Sequence, residues 1–258
     1  MEAELVSAAG SGNLNKVQEL IAAGVNVDSS DDFGRTALMI ASREKHIKIL
    51  RFLLSKGADI NVVGIHGETA LIIACLEGYT DITRFLIESG ADLNVFDNDH
   101  NTALILASLE GYLDIVQLLV AAGADVDAVD EDGNTSLMIA CYEGHTKILQ
   151  FLITAGADFN QVNNRGETPL MIAERYGHQD IIRFLTKVIN QGYLQDFQRV
   201  ARTARRTASS RQAQLEKHTP LNSDVARLVA RLSLNGFGKK KRVSLTRLKR
   251  DLNYLRRI

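Results

Sequence analysis

The sequence has little cysteine and no long apolar run. Its 258 residues include two Cys, two Pro and no Trp, and the first four residues, Met1 to Glu4, carry two carboxylates. A membrane span needs about 20 predominantly apolar residues, and a secretion signal needs an apolar segment after a basic start. We therefore expect neither feature, and we expect the protein in the cytoplasm, with the nucleus as the alternative.

Charge is unevenly distributed along the chain, although the net charge is only −1. Residues 1–190 contain 13 Lys and Arg against 27 Asp and Glu, whereas residues 191–258 contain 17 against 4. An acidic body followed by a basic tail indicates different partners for the two parts.

A repeat of 33 residues runs through the acidic part without insertions. Three positions show it most clearly: a threonine (Thr36, Thr69, Thr102, Thr135, Thr168), a leucine (Leu38, Leu71, Leu104, Leu137, Leu170) and an alanine (Ala41, Ala74, Ala107, Ala140, Ala173). A fixed period of this length is typical of stacked supersecondary units, each of which must pack on its neighbours to bury its apolar face.

The pattern within each repeat predicts two helices separated by a glycine. The threonine hydroxyl is placed to cap the first helix, whose Leu and Ala share one face. One glycine separates the helices (Gly78, Gly111, Gly144, Gly177), with Lys45 as the exception, and another closes the second helix (Gly57, Gly90, Gly123, Gly156). Cys75 and Cys141 occupy the same slot two repeats apart, too far for a disulfide, and we interpret both as small core residues.

The order Gly-x-Thr-Ala/Pro-Leu, then Ala, then Gly-His/Tyr, then Gly-Ala-Asp resembles the ankyrin repeat. The resemblance covers about residues 4–188 and implies an all-α solenoid of helix-turn-helix units joined by β-turn loops. It implies a shortened first repeat at 4–28 and full repeats at about 29–61, 62–94, 95–127, 128–160 and 161–188. Residues 189–258 are predicted to form a basic, mostly helical extension.

The chain keeps only part of the usual Thr-Pro-Leu-His motif of the family. One proline remains, Pro169, and the histidine is replaced by an apolar residue (Met39, Ile72, Ile105, Met138, Met171). We therefore expect apolar packing in place of any hydrogen-bond ladder at that position. His100 replaces a turn glycine, and it is either a tolerated residue with positive φ or part of a contact surface.

The resemblance also implies a binding groove. In ankyrin repeats, residues that flank the turn glycine and residues just before the inter-helix glycine line a concave surface. The first set is here Phe33, Arg35, His66, Glu68, Asp99, Asn101, Asp132, Asn134, Arg165 and Glu167. The second set is Arg43, Glu44, Leu76, Glu77, Leu109, Glu110, Tyr142, Glu143, Arg175 and Tyr176.

Four glutamates of the second set allow two interpretations. They either favour helix and keep an exposed surface soluble, or form a groove for a basic, partly apolar partner segment. In the second case Leu76, Leu109 and Tyr142 supply most of the affinity.

The tail continues an apolar pattern instead of reaching another closing glycine. We expect Val188, Ile189, Tyr193, Leu194, Phe197, Val200 and Ala201 to form helical segments that cover the last repeat. We expect tail contacts from a basic cluster and from an amphipathic final helix opened by Ser244: Lys239, Lys240, Lys241, Arg242, Leu245, Arg247, Leu248, Lys249, Arg250, Leu252, Leu255, Arg256 and Arg257. These fit a partner protein, a nucleic-acid backbone including ribosomal RNA, the repeats themselves or, least favoured, an anionic membrane.

The repeat accounts for the glycines, aspartates and cysteines, which leaves no nucleophile with a base, no phosphate loop and no metal site. We therefore predict a non-enzymatic protein without cofactor or metal: an adaptor, scaffold or assembly factor that binds another protein through the groove and the basic tail helices. The alternative is a nucleic-acid- or ribosome-associated protein anchored by the tail. The acidic body and basic tail could also bind one another, within one chain or between chains.

Overall fold

The computed structural model describes residues 2–191, which form twelve α-helices and no strand. Eleven of them are α1 (Glu2–Gly10), α2 (Leu14–Ala22), α3 (Ala37–Arg43), α4 (Ile47–Ser55), α5 (Ala70–Leu76), α6 (Thr80–Glu88), α7 (Ala103–Leu109), α8 (Leu113–Ala121), α9 (Ser136–Glu143), α10 (Thr146–Thr154) and α11 (Pro169–Tyr176). The twelfth, α12, occupies 179–191, up to the end of the described part. The predicted all-α solenoid class is confirmed. No helix within 2–191 has both the length and the apolar character needed to cross a bilayer.

The threonines of the repeat begin the odd-numbered helices from α3 to α11. Each has extended backbone and its hydroxyl accepts a hydrogen bond from the backbone N–H three residues later, at 3.2 to 3.3 Å (Thr36, Thr69, Thr102, Thr135, Thr168). A cap of this kind contributes about 1 kcal/mol, because it satisfies an amide that the helix itself leaves without a partner.

The odd-numbered helices form the inside of the stack. All residues of α3 from Ala37 to Ser42 are buried, and so are those of α7 from Ala103 to Ser108. The even-numbered helices bury only one stripe, such as Ile115, Val116 and Leu119 of α8. The odd-numbered helices contact one another in an unbroken series from α1 to α11. Their last turns are therefore the parts that reach solvent.

The slot where the family usually has histidine is filled by buried apolar side chains. Met39, Ile72, Ile105 and Met138 are between 1% and 4% exposed, so apolar packing at this position is confirmed for these four. Met171 occupies the same slot in the last full repeat and is 52% exposed, and no later repeat follows it within 2–191.

Aromatic rings of one repeat lie over the inter-helix loop of the repeat before it. The pairs are Gly12 with His46, Gly78 with Tyr112, Gly111 with His145 and Gly144 with His178. A β-carbon on Gly78 would come within 2.7 Å of the Tyr112 ring, so the glycine there provides space as well as positive φ. Lys45 stands in the position of this glycine in one repeat and also has positive φ, at 59°. Its ammonium group lies 5.1 Å from the centroid of the Tyr79 ring.

A ladder of hydrogen bonds joins the closing loops of successive repeats. A side-chain oxygen of one loop accepts the backbone N–H of the next loop's aspartate at 2.9 to 3.0 Å: Asp28 with Asp59, Asn61 with Asp92, Asn94 with Asp125, and Asp127 with Asp158. The sequence shows these aspartates only as the last residue of each Gly-Ala-Asp. The ladder fixes the spacing of the repeats along this edge of the stack.

Candidate protein-binding face

The first part of the candidate face is the helix-end set, the residues at the C-terminal ends of α3, α5, α7, α9 and α11. Four of its members are the exposed carboxylates Glu44, Glu77, Glu110 and Glu143. Beside them, Leu76 and Tyr142 are 42% and 46% exposed, and Leu109 is half-buried. The carboxylates and the apolar side chains therefore lie beside each other in successive repeats.

The position of these glutamates on their helices is unfavourable for stability. Glu44, Glu77 and Glu110 are the C-cap residues of α3, α5 and α7, and Glu143 is the last residue of α9. A negative charge at a helix C-terminus is disfavoured, because the unpaired carbonyl groups there carry partial negative charge. None of the four forms an ion pair with any residue of 2–191. The interpretation that they are present to favour helix is therefore weak.

The second part is the turn set, the residues beside the turn glycine. Phe33, His66, Asp99, Asp132 and Arg165 are exposed, whereas Arg35, Glu68, Asn101 and Asn134 are half-buried. The half-buried side chains are engaged within their own turns. The carboxylate of Asp31, for example, accepts from the guanidinium of Arg35 at 2.6 and 2.8 Å. Partial burial raises the pKa of Asp31, but this ion pair and the hydrogen bonds from the Arg35 and Phe33 amides together outweigh it, so the pKa lies below its usual value.

An aspartate or asparagine four residues before Arg35, Asn101, Asn134 or Glu167 organises most of these turns. Asp31, Asp97, Asp130 and Asn163 each accept backbone N–H bonds from the turn that follows. Their recurrence at the repeat spacing is the sequence signal from which these anchors could have been predicted. One repeat has Gly64 instead, and there the carboxylate of Glu68 folds back and accepts from the His66 amide at 3.0 Å. Glu68 thus substitutes for the missing anchor.

Glu167 differs from the exposed contact residue that the family resemblance implies. It is 8% exposed, pairs with the guanidinium of Arg175 and accepts from the Asn163 side-chain amide at 3.3 Å. The same amide group donates to the Asn134 side chain at 2.9 Å. Glu167 therefore holds Arg175 in place, and it is Arg175 that faces solvent. The pair also shows that the helix-end set and the turn set share one surface in the last repeat.

Two tyrosines meet at the end of the same surface. The Tyr142 and Tyr176 rings are in an edge-to-face arrangement with centroids 4.4 Å apart, and both are about half exposed. The adjacent Tyr176 hydroxyl raises the pKa of Tyr142, so the Tyr142 phenol is neutral at pH 7. His178 Nε2 lies 2.9 Å from the carbonyl oxygen of Tyr142 and fixes the backbone of that residue when it carries the proton.

His100 and the two cysteines give no indication of chemistry. His100 is exposed with φ of 59° and stacks at 5.6 Å on Phe96, which agrees with its expected positive φ. Burial raises the pKa of the Cys75 thiol to about 12 and also raises that of Cys141, so neither is a thiolate nucleophile at neutral pH. Within 2–191, no group of three or more His, Cys, Asp or Glu residues is arranged to hold a metal ion.

The predictions for the tail fall outside the described residues. These are the apolar residues from Tyr193 to Ala201 and all thirteen expected tail contacts between Lys239 and Arg257. Val188 and Ile189, at the end of α12, are described and half-buried.

Comparison with known families identifies the fold. A family model described as ankyrin repeats (3 copies) matches residues 4–64, 63–130 and 123–194. A search of curated proteins returned no match. The matched ranges cover most of the chain and all of the helical stack described above except the first two residues of α1. The chain belongs to the ankyrin repeat family.

Proposed function

We propose that this chain is an adaptor, scaffold or assembly factor that binds a basic, partly apolar segment of another protein across the helix-end set and the turn set. Ankyrin repeats are generally protein-protein interaction modules and typically non-enzymatic. The proposal adds to that general role a specific surface and a specific partner chemistry.

The observation that carries the proposal is the placement of Glu44, Glu77, Glu110 and Glu143. Each occupies a helix end where a carboxylate costs about 0.3–1 kcal/mol, and none forms an ion pair with a described residue. An unfavourable charge that recurs in four of the five full repeats is accounted for by a ligand that neutralises it. Each of the three middle repeats also has one acidic residue of the turn set nearby, which is Glu68, Asp99 or Asp132.

The apolar residues beside the glutamates would contribute the binding free energy that the carboxylates alone do not supply. Exposed carboxylates mainly raise the association rate and set orientation, whereas a few well-placed aromatic and apolar side chains contribute most of the binding free energy. Leu76, Leu109 and Tyr142 lie in successive repeats directly beside the glutamates. The bound segment must therefore carry apolar side chains between its cations.

Charge reversal tests the proposal. We expect the triple variant Glu77→Lys, Glu110→Lys, Glu143→Lys to lose capture of protein partners from a nuclease-treated lysate while keeping its helical circular dichroism. The matched control reverses Asp81, Glu88 and Asp114, three exposed carboxylates on α6 and α8, and should keep capture. Equal capture by both triple variants and the wild type would rule out this surface.

A second candidate function follows from the charge of residues 191–258, in which Lys and Arg outnumber Asp and Glu by 17 to 4. A nucleic-acid-bound protein anchored by this tail would lose affinity steeply between low and moderate salt, because phosphate binding releases counterions. A chain truncated after residue 191 separates the two candidates. Under our proposal it keeps protein capture; under the alternative it loses nuclease-sensitive capture and the repeats recruit nothing by themselves.

A further inference from the structure

The chemistry of the binding face changes abruptly at the last full repeat. The helix-end glutamates are followed at the repeat spacing by Tyr176, and the turn aspartates Asp99 and Asp132 are followed by Arg165. In the adjacent row Arg175 follows the apolar residues Leu76, Leu109 and Tyr142. Arg165 and Arg175 are paired with Asp132 and Glu167, so a ligand whose cations continued past Glu143 would find no unpaired carboxylate in these two sets. The face has a defined end.

That end is preorganised to receive an apolar side chain. Tyr142 and Tyr176 contact each other edge to face at 4.4 Å, and each leaves about half of its surface open. The carbonyl of Tyr142 is within hydrogen-bond distance of His178, and Arg175 is held by the buried Glu167. Tyrosine has few rotatable bonds, so a pair already fixed in this way loses little conformational freedom when a ligand binds.

The spacing of the glutamates limits the conformation of the ligand. Equivalent residues on adjacent packed helices are separated by about the interaxial distance of 8–10 Å. Every third residue of a polyproline II segment lies on the same side at about 9.3 Å, which falls in that range. In a β-strand, residues three apart point to opposite faces, and in an α-helix the matching heptad spacing is about 10.5 Å. An extended polyproline II segment fits best.

We propose, as a refinement that rests on the proposed function, that the Tyr142–Tyr176 pair docks an aromatic side chain at one end of the bound segment. Lys or Arg residues then follow at every third position of that segment, opposite Glu143, Glu110 and Glu77 in turn. The partner is thus a protein segment with one aromatic anchor and three evenly spaced cations.

Four synthetic peptides test this with the full chain, by fluorescence anisotropy. The first has three lysines at every third position with proline between them, and the second has the same composition with the lysines adjacent. The third and fourth extend the first by Phe through a Pro-Pro spacer, at one end or at the other. We expect the spaced peptide to bind about fivefold or more tightly than the clustered one, and one Phe peptide to gain about tenfold more.

A change of specificity provides the sharpest test and does not depend on a disruptive substitution. Tyr176→Glu continues the row of glutamates by one repeat at an exposed position. We expect this variant to prefer a peptide with a fourth lysine in the place of Phe, and the wild type to prefer Phe. Tyr112→Phe, which keeps the ring in a half-buried packing position, is the control and should leave the preference unchanged.

The outcomes separate this inference from the proposed function. If no lysine peptide binds the wild type more tightly than Glu77→Lys, Glu110→Lys, Glu143→Lys, both fail. If lysine peptides bind but Phe gives no gain, or Tyr176→Glu leaves the preference unchanged, only the anchor is refuted. Equal binding of spaced and clustered lysines refutes the extended register. If sedimentation shows a dimer that Tyr176→Glu dissociates, a second copy covers the tyrosines and the anchor is likewise refuted.

Discussion

Neutralising the helix-end glutamates should make the protein more stable, although it removes the charges that we assign to binding. The change is Glu77→Gln, Glu110→Gln, Glu143→Gln, which preserves shape and removes three negative charges at helix C-termini. Each such charge costs about 0.3–1 kcal/mol at low salt, so the triple variant should gain about 1–3 kcal/mol if the sites are independent. Most surface substitutions change stability by less than about 0.5 kcal/mol, so a gain of this size would stand out.

Repulsion between the glutamates themselves is a smaller effect. Two unit charges about 9 Å apart in water interact by about 0.5 kcal/mol before screening, and physiological salt reduces this further because the Debye length is about 8 Å. The interaction with the helix end is therefore the larger contribution. Both effects have the same sign, so the prediction of a gain does not depend on their ratio.

Urea denaturation followed by circular dichroism measures the gain as a higher midpoint with an unchanged slope. In about 1 M salt, where the Debye length is about 3 Å, most of the difference should disappear. The matched control, Asp81→Asn with Asp114→Asn, removes charges from the first turns of α6 and α8 and should lower the midpoint. A triple Gln variant that is no more stable than the wild type at low salt would show that the glutamates fit their helices well, and would remove the main reason to infer a ligand.

Three further predictions concern stability and reactivity. Met138→Ala should lower the free energy of unfolding in urea by about 2–5 kcal/mol and Met171→Ala by less than about 0.5 kcal/mol. The reason is that the same repeat position is buried at Met138 and exposed at Met171. Equal losses in the two variants would contradict this. Cys75 and Cys141 should resist iodoacetamide at pH 8 in the folded protein and react in urea, since burial raises both pKa values and blocks access, and rapid labelling of the folded chain would be the contrary result. His100→Gly should raise the unfolding free energy by about 0.5–1 kcal/mol, because only glycine adopts φ of 59° without strain, and a loss would mean that the Phe96 contact matters more.

The repeat spacing was sufficient to predict the helices and their caps. Thr36 and its equivalents begin helices where the sequence placed them, and positive φ at Lys45 and His100 follows from their alignment with glycines. These features are local, since each depends on a few neighbouring residues whose identity is visible in one repeat.

Contacts that depend on two repeats could not be predicted in the same way. The hydrogen bonds from the Asp92 amide to the Asn61 side-chain oxygen and between His178 and the Tyr142 carbonyl join residues about one repeat apart, and the sequence shows only that each position recurs. Burial of Glu167 depends on its pairing with Arg175, and only the last full repeat combines a glutamate in that turn position with an arginine in that helix-end position. The family resemblance assigned both residues to the same surface. It did not show that Glu167 is buried and holds Arg175, or that Arg175 is the one exposed to solvent.

Photo-crosslinking tests the central claim, that the helix-end and turn sets form the protein-binding surface, most directly. The Phe-extended spaced lysine peptide, with p-benzoylphenylalanine in place of Phe, would be irradiated together with the full chain. The adducts would then be mapped by mass spectrometry. We predict adducts near Tyr142 and Tyr176, at the ends of α9 and α11, and their loss when Glu77, Glu110 and Glu143 are reversed to Lys. Adducts concentrated on the exposed sides of α6, α8 or α10, and unchanged by that charge reversal, would contradict the claim that the helix-end and turn sets bind the partner.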